Sequence, residues 1–415
     1  MRRFPQLSAL FVLVLSLYCL LTGAAARAAT PQWPDRWPQD PNREYAAKRP
    51  YETETWSPPA RRLMWAHPGK SWPEDKEMNP KDPKNWLDMA TGQPAAALPD
   101  ENTDVLFPAC DKPYGVHAAW SGGRLNLAFR HLVIQKNASF SLENYEVWGN
   151  LWIQEGGSMG SHHASTHKGS KHTFVFNENK DRSNIAQYII VNKYKGASVW
   201  FIGNISATDE LSINEGTAVI GPHSKMTAGP NSIQNIGPEA TLALLSGASF
   251  GKGTNNAQSH VDILVKGHIS AGTPECPLTK DAFLGLSFKD AAGAPGAKGL
   301  IVEPKGVIRV YSKDPATARL VIGWHQNKQR DPRNEPGKYD KMPRTINVAL
   351  LGSVPLNGVL FNDVRKGGIE LPDPAARQQW KNVSFGKGCA AAADELFGRY
   401  EGPSETSTRS KKGKP

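Results

Sequence analysis

Cysteine is scarce in this chain, with four in 415 residues. Cys19 lies in the first apolar run, which leaves Cys110, Cys276 and Cys389. An odd number allows one disulfide with a thiol left over, or three buried thiols, and spacing does not choose the pair. Long apolar runs are absent after Leu21, so no later segment reads as a membrane span. A sustained helical period is almost absent as well. There is no HExxH and no paired CxxC for zinc, no GxSxG, no Walker loop and no GxGxxG opening a helix. Esterase, nucleotide and dinucleotide chemistry therefore have no local support. A motif interleaving aromatic and basic residues for nucleic acid is missing too.

What is present is repetition. A short phrase of apolar residues, a polar pair, a Gly or Asn and a second apolar stretch returns along the middle of the chain. It reads VIQKNASF at Val133–Phe140, WIQEGGSM at Trp152–Met159 and SINEGTAV at Ser212–Val219. It returns as ALLSGASF at Ala243–Phe250, ILVKGHIS at Ile263–Ser270 and, more loosely, GLIVEPKGVIRV at Gly299–Val310. A period near ~20 residues marks a solenoid whose units cannot bury an apolar face alone. Other short runs, DVLF, YIIV, VWFIG and TINVALLG, are rich in β-branched and aromatic residues and bounded by Gly, Asn, Pro and Ser. The expectation is an all-β chain wound as a right-handed parallel β-helix over 105–371, with roughly ten to twelve coils.

The ends differ in composition. Arg2-Arg3, the apolar run Leu10–Leu21 and Ala26-Arg27-Ala28 read as a secretory leader over 1–28, which predicts export to the periplasm, the cell surface or the medium. Tyr18 next to Cys19 argues against lipidation, and Phe-Pro-Gln after Arg2-Arg3 against a twin-arginine signal. Residues 29–104 are dense in Pro and Trp, which excludes central strands and long helices and predicts an extended arm laying Trp33, Trp37, Trp56, Trp65, Trp72 and Trp86 onto a surface. That surface is the protein's own solenoid, or the rings are platforms for sugars. PAARQQW and CAAAADELFGRY within 372–400 suit a short helical cap, and 401–415 is a polar, basic tail expected to be disordered. The formal charge of +10 becomes +7 once Arg2, Arg3 and Arg27 leave with the leader. A basic exported protein meets acidic polysaccharide or anionic lipid sooner than nucleic acid.

Two stretches carry a resemblance. NWLDMATGQPAAALPDENTDVLF through LAFRHLVIQKNASFSL to VWGNLWIQEGGSMGS, and then GHISAGTPECPLTKDAFLGLSF, resemble the glycine-rich domain that precedes a β-helix in the cell-migration-inducing hyaluronidase family and in fibrocystin. The shared order is a Trp, a Pro before a Val-rich strand, a leucine–isoleucine strand and a Gly-Gly turn. The resemblance implies a β-helix, secretion and a carbohydrate polymer as partner. It carries over no catalytic residue.

The densest polar cluster is SHHASTHKGSKHTFVFN, with His162, His163, His167 and His172 around Lys168 and Lys171. Cleaving an acidic polysaccharide by β-elimination needs a base for a C–H and a cation for the uronate carboxylate, and His and Lys supply both. His163, Lys171 and His172 are the catalytic candidates. His167, His223, Lys225, Trp324 and His325 are candidates for substrate contact, the last two opening the polar excursion 324–344. No cofactor is required. A competing reading places Zn or Cu on His162 and His167. Hydrolysis would instead need two carboxylates flanking the bond, drawn from Asp209, Glu210, Glu215 and Asp262. Asn137, Asn204 and Asn382 begin N-x-Ser sequons. The functional expectation is an exported protein that binds, and cleaves by lyase-type elimination, an acidic polysaccharide. The alternatives are a non-catalytic surface or adhesion scaffold and a periplasmic metal-binding protein.

Overall fold

The structure, a computed structural model, describes residues 31–34, 37–38, 61–117, 126–166, 172–180, 184–192, 196–228, 233–252, 262–285, 299–323, 346–355, 358–361, 364–370 and 384–385. The chain forms two compact units, Met1–Trp37 and Pro38–Pro415. In the first, the Trp33 and Trp37 rings meet edge to face at 6.3 Å. Among the described residues of the second, strands are the dominant element. Among the described residues its only helices are two three-residue 3-10 turns, Lys76–Met78 and Pro83–Asn85, and none is long and apolar enough to cross a membrane.

Parallel pairing organises the strands into three columns. Column one stacks Arg61–Trp65, Thr103–Phe107, His131–Ile134, Leu151–Ile153, His172–Asn177 and the start of Ser198–Ile220. Bonds from the Thr217 N–H to Ala197 O and from the Gly221 N–H to Phe201 O carry this column onto the end of the same long strand. The end of Ile233–Leu244, then His268–Ala271 and Val307–Val310, continue it, and a parallel bridge from Val307 to Ser353 carries it one rung further. Column two runs from Tyr114–His117 through the start of Ala138–Val147 to Lys225–Ala228, Ser249–Lys252, Ala282–Gly285 and Leu320–Gly323. Column three runs from Asn126–Phe129 through Asn184–Asn192 and the start of Ile233–Leu244 to Asp262–Val265, Leu300–Val302 and Ile346–Leu350. The chain visits the columns in the same cyclic order on every pass. That order is compatible with a β-helix, as the repeats predict.

Each strand alternates because successive side chains point to opposite faces of the sheet. Leu132, Leu151, Val199, Phe201, Leu242, Ile269 and Ile308 form one buried row after another beneath column one. Phe107 and Phe140 lie 4.6 Å apart, and Phe129 meets Phe140 edge-on at 5.7 Å. Such pairs contribute about 1 kcal/mol each beyond the area they bury.

Residues 61–104 of the Pro/Trp-rich segment are less extended than its composition predicts. Arg61–Trp65 contains no Pro, so its N–H groups are available, and it pairs with Thr103–Phe107 on one side and antiparallel with Trp86–Asp88 on the other. Trp65 and Trp86 are fully buried and pack edge-on at 5.2 Å, with Phe107 stacked on Trp65 at 6.1 Å. These two indoles are core. Trp72 is half-buried against that core, and Trp56 lies outside the described residues. The outer edge of Trp86–Asp88 is itself occupied, since the Ala95 N–H donates to Trp86 O and the Asp88 N–H to Gln93 O. The end of the stack is thereby closed against edge-to-edge pairing. Of the segment 372–400, only Ser384–Phe385 is described, as a short strand beside Leu360-Phe361. Cys110 and Cys276 are not linked to each other, and Cys389 lies outside the described residues.

The corner between columns one and two requires a left-handed residue on many passes. It is filled by Asn137 (φ 64°), Gly156 (φ 80°), His223 (φ 54°) and Gly247 (φ 69°). Asn137 suits the position because its side-chain amide donates to Cys110 O at 2.8 Å. That bond, and the bond from the Asn204 amide to Lys180 O at 2.8 Å, engage two of the three sequon asparagines inside the fold. His223 is the costlier occupant, since its Cβ crowds the following carbonyl in this region. Replacing His223 with Gly is expected to raise stability by about 1 kcal/mol. A urea midpoint that stays put or falls would show that the ring, which lies over Gly247, contributes more than the backbone strain costs.

Candidate functional site

Column one presents an outward face above that buried row. On the four rungs before Ser353 the inward residues are Ala218, Leu242, Ile269 and Ile308. The residues between them point outward. Thr217, Thr241, His268 and Val307 are in register in one row, and Val219, Ala243, Ser270 and Arg309 in the next. Two positions earlier, Glu215 is in register with Glu239. Adjacent rungs lie about 4.8 Å apart and diagonal neighbours about 7–8 Å, within reach of long side chains. Glu239, His268 and Arg309 therefore form a diagonal line over three successive rungs, an anion, an imidazole and a cation.

Glu239 and Arg309 are exposed, and neither has an ion-pair partner among the described residues. His268 is half-buried, and its Nδ1 is covered without a hydrogen-bond partner. Burial holds the imidazole below its usual pKa, the positive Arg309 pushes the same way, and Glu239 opposes them. The ring is thus neutral near pH 7 and able to accept a proton. Ser270 is turned aside, with Oγ donating to Gly272 O at 2.6 Å.

Farther back, the outward row is closed. It begins at Asp104, in register with Arg62 and His131. Arg130 clasps the Asp104 carboxylate through Nε at 2.8 Å and Nη2 at 2.9 Å, and Arg62 approaches it at 3.5 Å. Burial nonetheless pushes the Asp104 carboxyl up, outweighing both guanidinium groups. His131 is buried and accepts from the Asn150 N–H at Nδ1, 2.8 Å. Phe174 and Trp200 follow with ring centres 5.7 Å apart, and then Val219, Ala243, Leu245 and Cys276 form a small apolar cluster against Trp200. The open, charged part of the face is the far end of this row.

Of the residues nominated from sequence, the described ones do not share one row. His172 heads a column-one strand in register with Ser198, and the row then passes Thr217 and Thr241 before His268. Four rungs separate His172 from His268, about 19 Å. His163 lies in column three, in register with Asn144 and Tyr188, so no ladder unites it with His172. For His162, His163 and His172 only the backbone is described. His167, Lys171, Trp324 and His325 lie outside the described residues. His223 and Lys225 are exposed at the corner into column two, with Lys225 in register with Asn204 and Ser249. Among the described residues, no group of three or more His, Cys, Asp or Glu is placed to hold a metal ion. Of the four carboxylates considered for hydrolysis, Glu215 alone has another acid as register partner, Glu239. Glu210 instead accepts from the Ser212 hydroxyl.

Glu239, His268 and Arg309 were missed, although the signal was present. Aligning the repeats on Gly216, Gly267 and Gly306 sets Thr217, His268 and Val307 in one row and Val219, Ser270 and Arg309 in the next. No protein-family model, curated protein or solved structure matches this chain. The likeness to the cell-migration-inducing hyaluronidase family and fibrocystin therefore rests on the quoted residues, and the structure adds to it an all-β fold of stacked parallel strands.

Proposed function

We propose that this is an exported right-handed parallel β-helix that binds an acidic polysaccharide along the outer face of column one. The observation that supports this reading best is the register of Thr217, Thr241 and His268, with Arg309 two positions along on the following rung, which together offer a polar contact on each of four successive rungs. A row repeating every ~4.8 Å suits an extended polymer of similar units better than a compact metabolite. Thr217 and Thr241 hydroxyls bond sugar hydroxyls, and Arg309 takes a uronate carboxylate through a charge-assisted contact. Glu215 and Glu239 repel a second carboxylate at the other end and so fix the direction of the chain.

Affinity electrophoresis on gels containing polygalacturonate, alginate or hyaluronan tests this against a neutral glucan. The full chain is expected to be retarded by at least one of the acidic polymers and not by the glucan. Arg309→Ala should weaken that retention about tenfold, the loss of roughly 1.4 kcal/mol expected for one charged contact. Equal mobility in all gels would remove the polysaccharide and leave a scaffold. Retention unchanged in Arg309→Ala would move the binding face elsewhere.

A further inference from the structure

We propose that Glu239, His268 and Arg309 are an elimination centre that cleaves the bound uronate polymer, with His268 as the base. This rests on the polysaccharide reading above and adds a reaction to it.

The geometry carries the assignment. Elimination requires two groups of opposite demand close together and open to a polymer, a neutral base and a fixed cation. Arg309 and His268 stand one rung apart and two positions offset, the diagonal separation that a long guanidinium side chain spans. Glu239 stands at the same offset on the other side of His268. Both charged groups are exposed and unpaired with other described charges, so neither is consumed by holding the fold together. Nδ1 of His268 is buried, which leaves Nε2 as the nitrogen that can meet a substrate. The depressed basicity caused by burial and by Arg309 keeps the ring neutral, and the tautomer with its proton on Nδ1 presents the Nε2 lone pair to a substrate; Glu239 limits the depression, so the imidazolium formed in the reaction is balanced on one side.

The step closes without a co-reactant. Arg309 pairs with the uronate carboxylate and stabilises the charge that spreads onto it as the neighbouring C5–H bond breaks. Nε2 of His268 takes that proton. The electron pair of the C–H bond becomes the C4=C5 double bond, and the C4–O4 bond breaks. The departing O4 takes the proton from the imidazolium, which restores neutral His268. One fragment ends in an unsaturated uronate and the other in a free hydroxyl. Glu239 touches no reacting atom in this scheme and is a positioning residue.

The experiment incubates the full chain with polygalacturonate, alginate and hyaluronan and follows the absorbance of an unsaturated uronate, with masses of the products. An absorbing product is expected from the polymer that binds. His268→Gln should lower its rate by at least about 100-fold, the usual contribution of a positioned base, and lower retention on the polymer gel by no more than the roughly tenfold expected for one lost contact. Glu239→Gln should leave the reaction running but shift the acid limb of its pH profile to lower pH, because the base loses the carboxylate that raises its pKa. Binding without any absorbing product would overturn the elimination centre and leave the binding reading standing. Saturated products would overturn it in favour of hydrolysis. Full activity in His268→Gln would place the base elsewhere and overturn it as well. Absence of binding to every polymer would remove both readings together.

Discussion

Replacing Gly203 with alanine is expected to destabilise the fold by about 4 kcal/mol. Gly203 lies inside the long strand Ser198–Ile220, where the chain turns from column one into column two. Its φ is 94°, a region that L side chains rarely adopt. A Cβ there would fall 2.0 Å from the backbone oxygen of Asn177, its register partner on the preceding rung. That oxygen belongs to backbone and cannot swing away. Both neighbours are tied down as well. The Asn177 amide donates to Asn204 O at 2.6 Å, and the Gly203 N–H donates to Ser224 Oγ at 2.9 Å. Relief would require two rungs to part. Gly196 is the control, with a similar φ of 85° and nothing within 4 Å of the site of its Cβ. Gly196→Ala should cost only the conformational penalty, about 1–2 kcal/mol. Urea midpoints of the two variants decide the matter. Equal losses would mean that the close approach of the two rungs carries no energetic weight.

The same corner explains how far the fold could be read from the residues. The repeated phrase was visible, yet its copies belong to two different corners. VIQKNASF, WIQEGGSM and ALLSGASF each leave column one and enter column two, around Asn137, Gly156 and Gly247. SINEGTAV, ILVKGHIS and GLIVEPKGVIRV leave column three and enter column one, around Gly216, Gly267 and Gly306. The first corner wants a residue that tolerates a left-handed φ, whereas at Gly267 and Gly306 in the second the backbones of successive passes leave no room for a Cβ. A Cβ on Gly306 would come within 2.3 Å of Val265 O, and one on Gly267 within 2.1 Å of Gly237 O. Two different demands thus wrote a similar pattern at two places. The period suffers accordingly. The pass from Leu132 to its partner Leu151 is short, whereas the pass from Ile269 to its partner Ile308 takes far more chain. Strand lengths are constrained by packing, while the loops between them are free to grow.

The candidate site was less legible than the fold. Clustering along the chain drew notice to His162, His163, His167 and His172, but stacked strands bring together residues separated by a whole pass. His268 meets Glu239 from the pass before it and Arg309 from the pass after it. Neither neighbour is close in sequence, and Glu239 is followed by Ala240 where Glu215 is followed by a glycine. Charge density in sequence is a guide only to neighbours along the chain. Register within aligned copies is the better one, because it reports which side chains share a row.

Lowering the pH from 7.5 to 4.5 should cost the fold about 3 kcal/mol through His131 alone. Burial, helped by the positive Arg130 and then Arg62, holds this imidazole at about 3 against an ordinary value of 6.5. A group with a depressed folded-state pKa contributes its full stability above the unfolded value. That contribution is lost as the pH falls from 6.5 toward 3, because the unfolded chain takes up the proton first. Each pH unit within the window is worth about 1.4 kcal/mol, so two units give the stated loss. The direction follows from the structure. Nδ1 accepts from the Asn150 N–H, so protonation there would both break that bond and set a third positive charge beside Arg62 and Arg130. Asp104, in register on the same row, works in the opposite sense. Its raised carboxyl binds a proton more readily in the folded chain, which offsets part of the loss near the acid end. His131→Gln separates the two, since Gln can still accept from the Asn150 N–H but does not titrate. The variant should be less stable at pH 7.5, where it fits a histidine-shaped site imperfectly, yet lose about 3 kcal/mol less than the parent on going to pH 4.5. Denaturant midpoints at several pH values give both numbers. Parallel pH profiles for parent and variant would mean that His131 is not the acid-sensitive element and that the buried charges around Asp104 set the response.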